Sequence, residues 1–217
     1  MISCCIFDLD GTLLNTLDTI HYYVNRAMGE CGYPSITRDS CRSFVGNGAR
    51  LLIERAMRSV GEKNIDRIAE VHTVYNKMYD AEPLYLTAPY DGIPELLKEL
   101  RANGIRIAVL SNKPHSATEP IVKAIFGDLV DIVRGGVDGV PLKPDPTAGK
   151  MLLDALKCRP SNCAFIGDTS VDVDMGRAMG VGLTVGVSWG FRDREELLCA
   201  DCIADTSEDV LKAILNS

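Results

Sequence analysis

Apolar residues in this chain fall into two kinds of run. Short ones, Cys4 to Phe7, Ile105 to Leu110, Leu129 to Val133, Ala164 to Ile166 and Leu183 to Val187, have the length and flanks of buried strands. Between them the spacing becomes helical, from Pro94 through Leu96, Leu97 and Leu100, then over Ser116–Phe126, Pro146–Leu156, Val173–Met179 and Ser207–Leu215. Pro120 is tolerable in the second of these only within a first turn. Strand and helix in alternation predict a parallel sheet covered by helices.

One long stretch breaks the alternation. Leu17, Ile20, Val24, Ala27, Met28 and Cys31 lie at helical spacing until Gly32-Tyr33-Pro34 stops them. Gly46-Asn47-Gly48 then opens a run through Leu52, Ile53, Ala56 and Val60, and a third helix reads from Ile65 through Ile68, Ala69, His72, Tyr75 and Tyr79. No strand pattern interrupts them. They predict a helical unit inserted after the first strand, with Pro83 and Pro89 bracketing the return.

Composition narrows the partners. A chain of 217 residues with 46% hydrophobic and 24% charged residues is long enough to bury a core without disulfides. Its net charge of −7 excludes non-specific nucleic-acid binding, for lack of a basic surface to displace counterions. No apolar run reaches the length of a membrane span, and Met1 to Asp10 has no basic segment of the signal-peptide kind, so the expected location is cytoplasmic. Of the eight cysteines, Cys199 and Cys202 form a Cys-x-x-Cys, but no second pair completes a zinc set, and all eight are expected to be reduced. His21, His72 and His115 read as structural or surface residues.

The chemistry gathers at the ends of the predicted strands, where open α/β sheets bind ligands. Asp8 and Asp10 follow the first strand, on one side of it by the two-residue period, with Gly11 turning the chain. Two like charges so close imply either a bound cation or a division of labour between nucleophile and proton carrier. Ser111 and Asn112 end a second strand, Lys143 lies in Leu142-Lys143-Pro144-Asp145-Pro146, and Gly167-Asp168-Thr169 ends a third strand ahead of Asp172.

In this order and spacing the chain resembles the haloacid dehalogenase superfamily. Asp8-x-Asp10-x-Thr12 resembles its first motif, Ser111 its second, Lys143 its third and Gly167-Asp168-x-x-x-Asp172 its fourth. The resemblance implies an α/β fold, with a parallel Rossmann-like sheet core in residues 1–15 and 84–217 and a small α-helical cap domain in residues 16–83. It implies that Asp8 attacks phosphorus to form an aspartyl-phosphate, and that Asp10 protonates the leaving oxygen and later activates water. Thr12, Ser111, Asn112 and Lys143 are then the phosphate-binding set. The implied cofactor is Mg2+, held by Asp8, Asp10 (through its backbone carbonyl), Asp168 and Asp172.

Within the cap, Val45-Gly46-Asn47-Gly48-Ala49-Arg50 resembles the signature of the phosphoglycolate phosphatase family, with free amides and Arg50 as candidate substrate contacts. Gly186 to Arg192 is also similar to that family, whereas Asn15 stands where it commonly has Asp. The expected reaction is hydrolysis of 2-phosphoglycolate to glycolate and phosphate by a monomer or homodimer. Alternatives are a related capped phosphatase for pyrophosphate, sugar phosphates or nucleotides, or a phosphosugar mutase, against which Thr12 argues. A response-regulator receiver would lack the helical insertion, a dinucleotide-binding dehydrogenase would carry Gly-x-Gly-x-x-Gly where Asp8 to Thr12 stand, and Gly149-Lys150 is no Walker loop.

Overall fold

The computed structural model describes all 217 residues. Its core is a sheet of six parallel strands, β1 (Cys4–Phe7), β4 (Arg106–Pro114), β5 (Ile132–Gly136), β6 (Cys163–Gly167), β7 (Leu183–Val187) and β8 (Cys202–Ala204), in the order β5-β4-β1-β6-β7-β8. The chain builds outward from β1 to one side and then returns to build the other. That reversal places a crevice at the carboxyl ends of β1 and its neighbours. Every residue of β1 is buried, because both faces of the sheet are covered.

Helices α5 (Ile93–Ala102), α6 (His115–Phe126), α7 (Thr147–Leu156), α8 (Ser170–Met179) and α9 (Ser207–Leu215) cover those faces. Leu96, Leu97 and Leu100 of α5 and Val210 and Ile214 of α9 are buried on one apolar face. Leu152, Leu153 and Leu156 of α7 and Met175 and Met179 of α8 pack on the other, against Ile6, Leu110 and Phe165. Each element hides an apolar stripe that alone would stand in water.

Between β1 and β4 the chain leaves the sheet. Two short antiparallel strands, β2 (Leu14–Asn15) and β3 (Ala88–Pro89), carry it out and back. Between them lie α1 (Leu17–Glu30), α2 (Arg38–Phe44), α3 (Ala49–Ser59) and α4 (Ile65–Ala81). Their inner faces, including Ile20, Val24, Met28, Ile53, Met57, Val71 and Tyr75, join the larger of the two buried clusters.

Several elements differ from the pattern read in the sequence. Helix α2 has one fully buried residue, Cys41, and so no visible stripe; its start is set by Thr37, whose side chain accepts from Ser40 N. Strand β5 lies three residues beyond the predicted Leu129–Val133, because Gly127–Leu129 forms a 3-10 turn. Strand β4 runs to Pro114 instead of stopping at Leu110, and β8 carries only three residues. Pro120 sits in the second turn of α6, which begins at His115.

Candidate active site

Asp8 follows β1, the strand between β4 and β6, and its amide donates to Ile166 O at 2.9 Å, so the ladder holds its backbone one residue past the strand. Lys143 Nζ lies 2.7 Å from Asp8 Oδ1 and donates to Asp172 Oδ1, also at 2.7 Å. The loop that carries Lys143 is fixed by Asn112, whose Oδ1 accepts from Lys143 N at 2.8 Å and whose Nδ2 donates to Lys143 O at 3.1 Å.

Asp168 leaves β6 fully buried. Its Oδ1 accepts from Thr12 Oγ1 at 3.1 Å and its Oδ2 from Phe191 N at 2.8 Å. A Cβ at Gly190 would collide with the Asp168 side chain, so only glycine lets this loop pass. Asp172 stands in the first turn of α8, and its Oδ2 accepts from both Thr169 N and Thr169 Oγ1 in a capping box.

Carboxylate oxygens of Asp8, Asp168 and Asp172 thus lie within 4.8 Å of one another, with a single ammonium, Lys143, among them. Burial pushes the Asp8 carboxyl up to about 6; Lys143 opposes that rise, and the charges of Asp172 and Asp10 add to it. Burial, then Asp172 and Asp8, raise Asp168 well above the usual carboxylate range. Burial also works against the charge of Lys143, yet Asp172 and Asp8 together hold its ammonium above the ordinary lysine range.

This donor set fits a magnesium ion. It is made of oxygens alone, it carries an excess of buried negative charge, and Asp8 Oδ1 accepts no well-formed hydrogen bond beside its close approach to Lys143.

Asp10 is turned away from the cluster. Its Oδ1 accepts from Thr16 Oγ1 at 2.7 Å, and Lys113 Nζ lies 3.1 and 3.2 Å from its two oxygens. Lys113 is buried, with its ammonium 4.3 Å from the centre of the Tyr79 ring of α4. The helices inserted between β2 and β3 therefore meet the sheet core at the carboxylate expected to move protons.

A cavity of about 50 Å3 lies between them, lined from the sheet core by Asp8, Asp10, Ser111, Asn112, Lys113, Lys143, Thr169 and Asp172 and from the inserted helices by Ile20, Val45, Gly46, Gly48, Ala49, Leu52 and Tyr75. Ser111 Oγ accepts from Lys113 N at 3.3 Å. Gly48, with φ +87°, begins α3, and a Cβ there would come within 2.8 Å of Leu142.

Of the expected contacts, Thr12, Asn47 and Arg50 do not line the cavity, and Asn112 lines it in a different role. The Thr12 side chain is fully buried against Asp168 and does not line the cavity. Asn112 lines it, but its amide is spent on Lys143 and on Gly46 O, so it positions a loop. Asn47 and Arg50 do not line it; Arg50, in the first turn of α3, is exposed. Cys199 and Cys202 gather no further metal-binding side chain, whereas Cys4, Cys158 and Cys163 bring their sulfurs within 4.8 Å of one another at the opposite end of the sheet.

The sequence assigned no role to Lys113, Thr16, Phe191 or Arg192, although Phe191 and Arg192 lie in the Gly186–Arg192 stretch that resembles the family. For Lys113 a signal existed, since the two-residue period of β4 sends it to the same side as Ser111. Nothing in residue type pointed to the partners of Arg192. It donates to the backbone carbonyls of Arg42 and Val45, each at 2.6 Å, and so binds the end of α2 to the loop that touches Asp168.

Comparison with known proteins agrees with this architecture. Residues 2–180 match the model of the haloacid dehalogenase-like hydrolase family. A phosphoglycolate phosphatase of Cereibacter sphaeroides is 37% identical over 180 residues, 81% of each chain, and one of Pectobacterium atrosepticum is 29% identical over 97% of this chain and 92% of its own. The crystal structure of a predicted phosphoglycolate phosphatase from Haemophilus somnus superposes with a TM-score of 0.90 at 26% identity, covering 98% of this chain and 97% of the other. The chain belongs to the haloacid dehalogenase-like hydrolase family. Phosphatases of this family generally use magnesium. No helix is long and apolar enough to cross a membrane.

Proposed function

We propose that this chain is a magnesium-dependent phosphomonoesterase whose substrate is 2-phosphoglycolate, and that residues 16–83 act as its cap. The observation that carries the reading is the meeting of Asp8, Lys143, Asp168 and Asp172 at one end of the sheet while Asp10 is held apart on Thr16 and Lys113. Asp8, already ionisable without a base, attacks phosphorus, the ester oxygen departs, and an aspartyl-phosphate forms. Asp10 gives its proton to the departing oxygen and then accepts one from the water that attacks the intermediate.

Lys143 and the Ser111 hydroxyl stabilise the charge on the transferring phosphoryl oxygens. The side chains of Asp8 and Asp168 and the carbonyl of Asp10 would hold magnesium, with Asp172 acting through water. Bound there, the ion would neutralise phosphoryl charge. The names of the relatives favour phosphoglycolate.

The test is phosphate release from 2-phosphoglycolate, pyrophosphate, several sugar phosphates and nucleotides, with magnesium and with chelator. A preference for phosphoglycolate that chelator removes supports the reading. Magnesium-dependent release from another ester in preference keeps the mechanism and replaces the substrate, and no release from any ester overturns both.

A further inference from the structure

Two cations line the cavity, Lys143 and Lys113. Lys143 is committed to Asp8 and Asp172, at the end where phosphorus is attacked. Lys113 stands at the other end, against the carboxylate that protonates the departing oxygen. An ammonium has three donors, and those of Lys113 face only one side-chain acceptor, Asp10.

Consider what a leaving group meets there. Asp8, Asp10 and Asp172 all line the cavity, and Lys143 and the proposed magnesium are engaged at the acid cluster, so a leaving group that itself bears a carboxylate meets Asp10 with no cation of that cluster beside it. Without a cation beside it, such a group would be rejected in favour of a neutral one. The cap offers none: Ile20, Val45, Leu52 and Tyr75 are apolar or aromatic, and Arg50 does not reach the cavity.

Geometry then restricts the size. In an ester of the form phosphate–O–CH2–COO−, the carboxylate stands one carbon from the bridging oxygen. With that oxygen hydrogen-bonded to Asp10, the carboxylate comes within reach of an ammonium that is itself 3.1 Å from Asp10. The cavity that holds both ammonium groups is small, about 50 Å3, and both of its ends are within the span of so short a group.

We infer that Lys113 is the specificity residue of this site, recognising the carboxylate of a short α-phosphoryloxy acid while it bridges to Asp10. The inference rests on the phosphatase reading above and adds to it the group that selects the substrate. Lys113 and Asp10 then form one unit, in which an incoming carboxylate shares the ammonium that Asp10 holds in the free enzyme.

The experiment compares 2-phosphoglycolate with ethyl phosphate, which has the same length and no carboxylate, in the wild-type enzyme, in Lys113→Met and in Lys113→Arg. Loss of the ammonium also disturbs Asp10, which slows both substrates, so the readout is the ratio of their kcat/KM values, where that common effect cancels. Wild type is expected to favour phosphoglycolate, and Lys113→Met to lower the ratio by about tenfold to a hundredfold, the worth of a hydrogen bond between charged groups. Lys113→Arg, which keeps the charge, is expected to retain most of the preference, and glycolate is expected to inhibit wild type more strongly than Lys113→Met. An unchanged ratio in a folded Lys113→Met overturns the inference and leaves the phosphatase reading standing. A wild type that hydrolyses neither ester, with magnesium present, overturns both.

Discussion

Thr16 Oγ1 donates to Asp10 Oδ1 at 2.7 Å, and Thr16 is also the residue from which α1 springs. Its hydroxyl makes no capping bond to the helix. A side chain that would ordinarily satisfy an amide of α1 is used instead to orient a carboxylate of the core. Thr16→Val keeps the shape and removes this bond. It is expected to lower kcat for the best substrate by about tenfold, roughly the net worth of one charge-assisted hydrogen bond, and to leave magnesium affinity unchanged. Steady-state phosphate release and calorimetric titration of magnesium check the two halves; an equal loss in both would mean that Thr16 acts only through folding.

The two aspartates of the first motif should fail differently. Asp8→Asn removes the nucleophile and one carboxylate of the cluster, and is expected to abolish turnover and weaken magnesium binding while the circular dichroism of the fold persists. Asp10→Asn leaves the three clustered carboxylates in place and is expected to slow turnover by about 10² to 10⁴, with magnesium bound as in wild type. Measurable turnover by Asp8→Asn would remove it as nucleophile. A near-normal rate for Asp10→Asn would remove the proton-transfer role.

How much of this was legible in the sequence depends on whether a residue acts through position along a strand or through contact across the fold. Asp8 and Asp168 stand just beyond the ends of β1 and β6, and Ser111 follows the apolar part of β4, so an apolar run with a polar residue after it marks all three in the chain itself. Thr12 was visible as part of a motif, but its partner, Asp168, is 156 residues away, so its direction could not be read. Arg50 looked like a substrate contact because it follows the glycines that open α3. Helical geometry instead leaves it exposed. Arg192 and Arg42 join loops about 150 residues apart through backbone carbonyls, which carry no trace in residue type.

That pair offers a test of the cap. Arg192 donates to the carbonyls of Arg42 and Val45, groups that end α2 and find no other partner along the helix axis. The same loop gives Phe191 N to Asp168. Arg192→Ala is expected to raise KM for the substrate several-fold and to expose the peptide bonds around Val45 to limited proteolysis. Saturating magnesium and substrate analogue together should restore protection, because both bear on the surfaces the arginine joins. A digestion pattern identical to wild type would mean that the arginine does not hold the cap.

The acid cluster also sets how stability responds to pH. Burial raises Asp8 to about 6, while in the unfolded chain it titrates near 4, so between those values the folded protein keeps a proton that the unfolded one releases. Stability from this group is therefore present at the acid end and is lost as pH rises from about 4 to about 6. Asp168, raised by burial and by Asp172 and Asp8, carries the loss to higher pH. Magnesium reverses the sign, since it requires the ionised carboxylates and competes with their protons. The expected result is that chelator-treated wild type loses melting temperature, relative to Asp8→Asn, on going from near pH 5 to about pH 7. The gain on adding magnesium should be small at the first pH and large at the second. Differential scanning calorimetry of both proteins under the four conditions measures this directly, and the comparison with Asp8→Asn removes the contribution of surface carboxylates such as Asp205 and Asp209, which shift the other way. A magnesium gain that is the same at both pH values would show that the ion does not draw on this cluster.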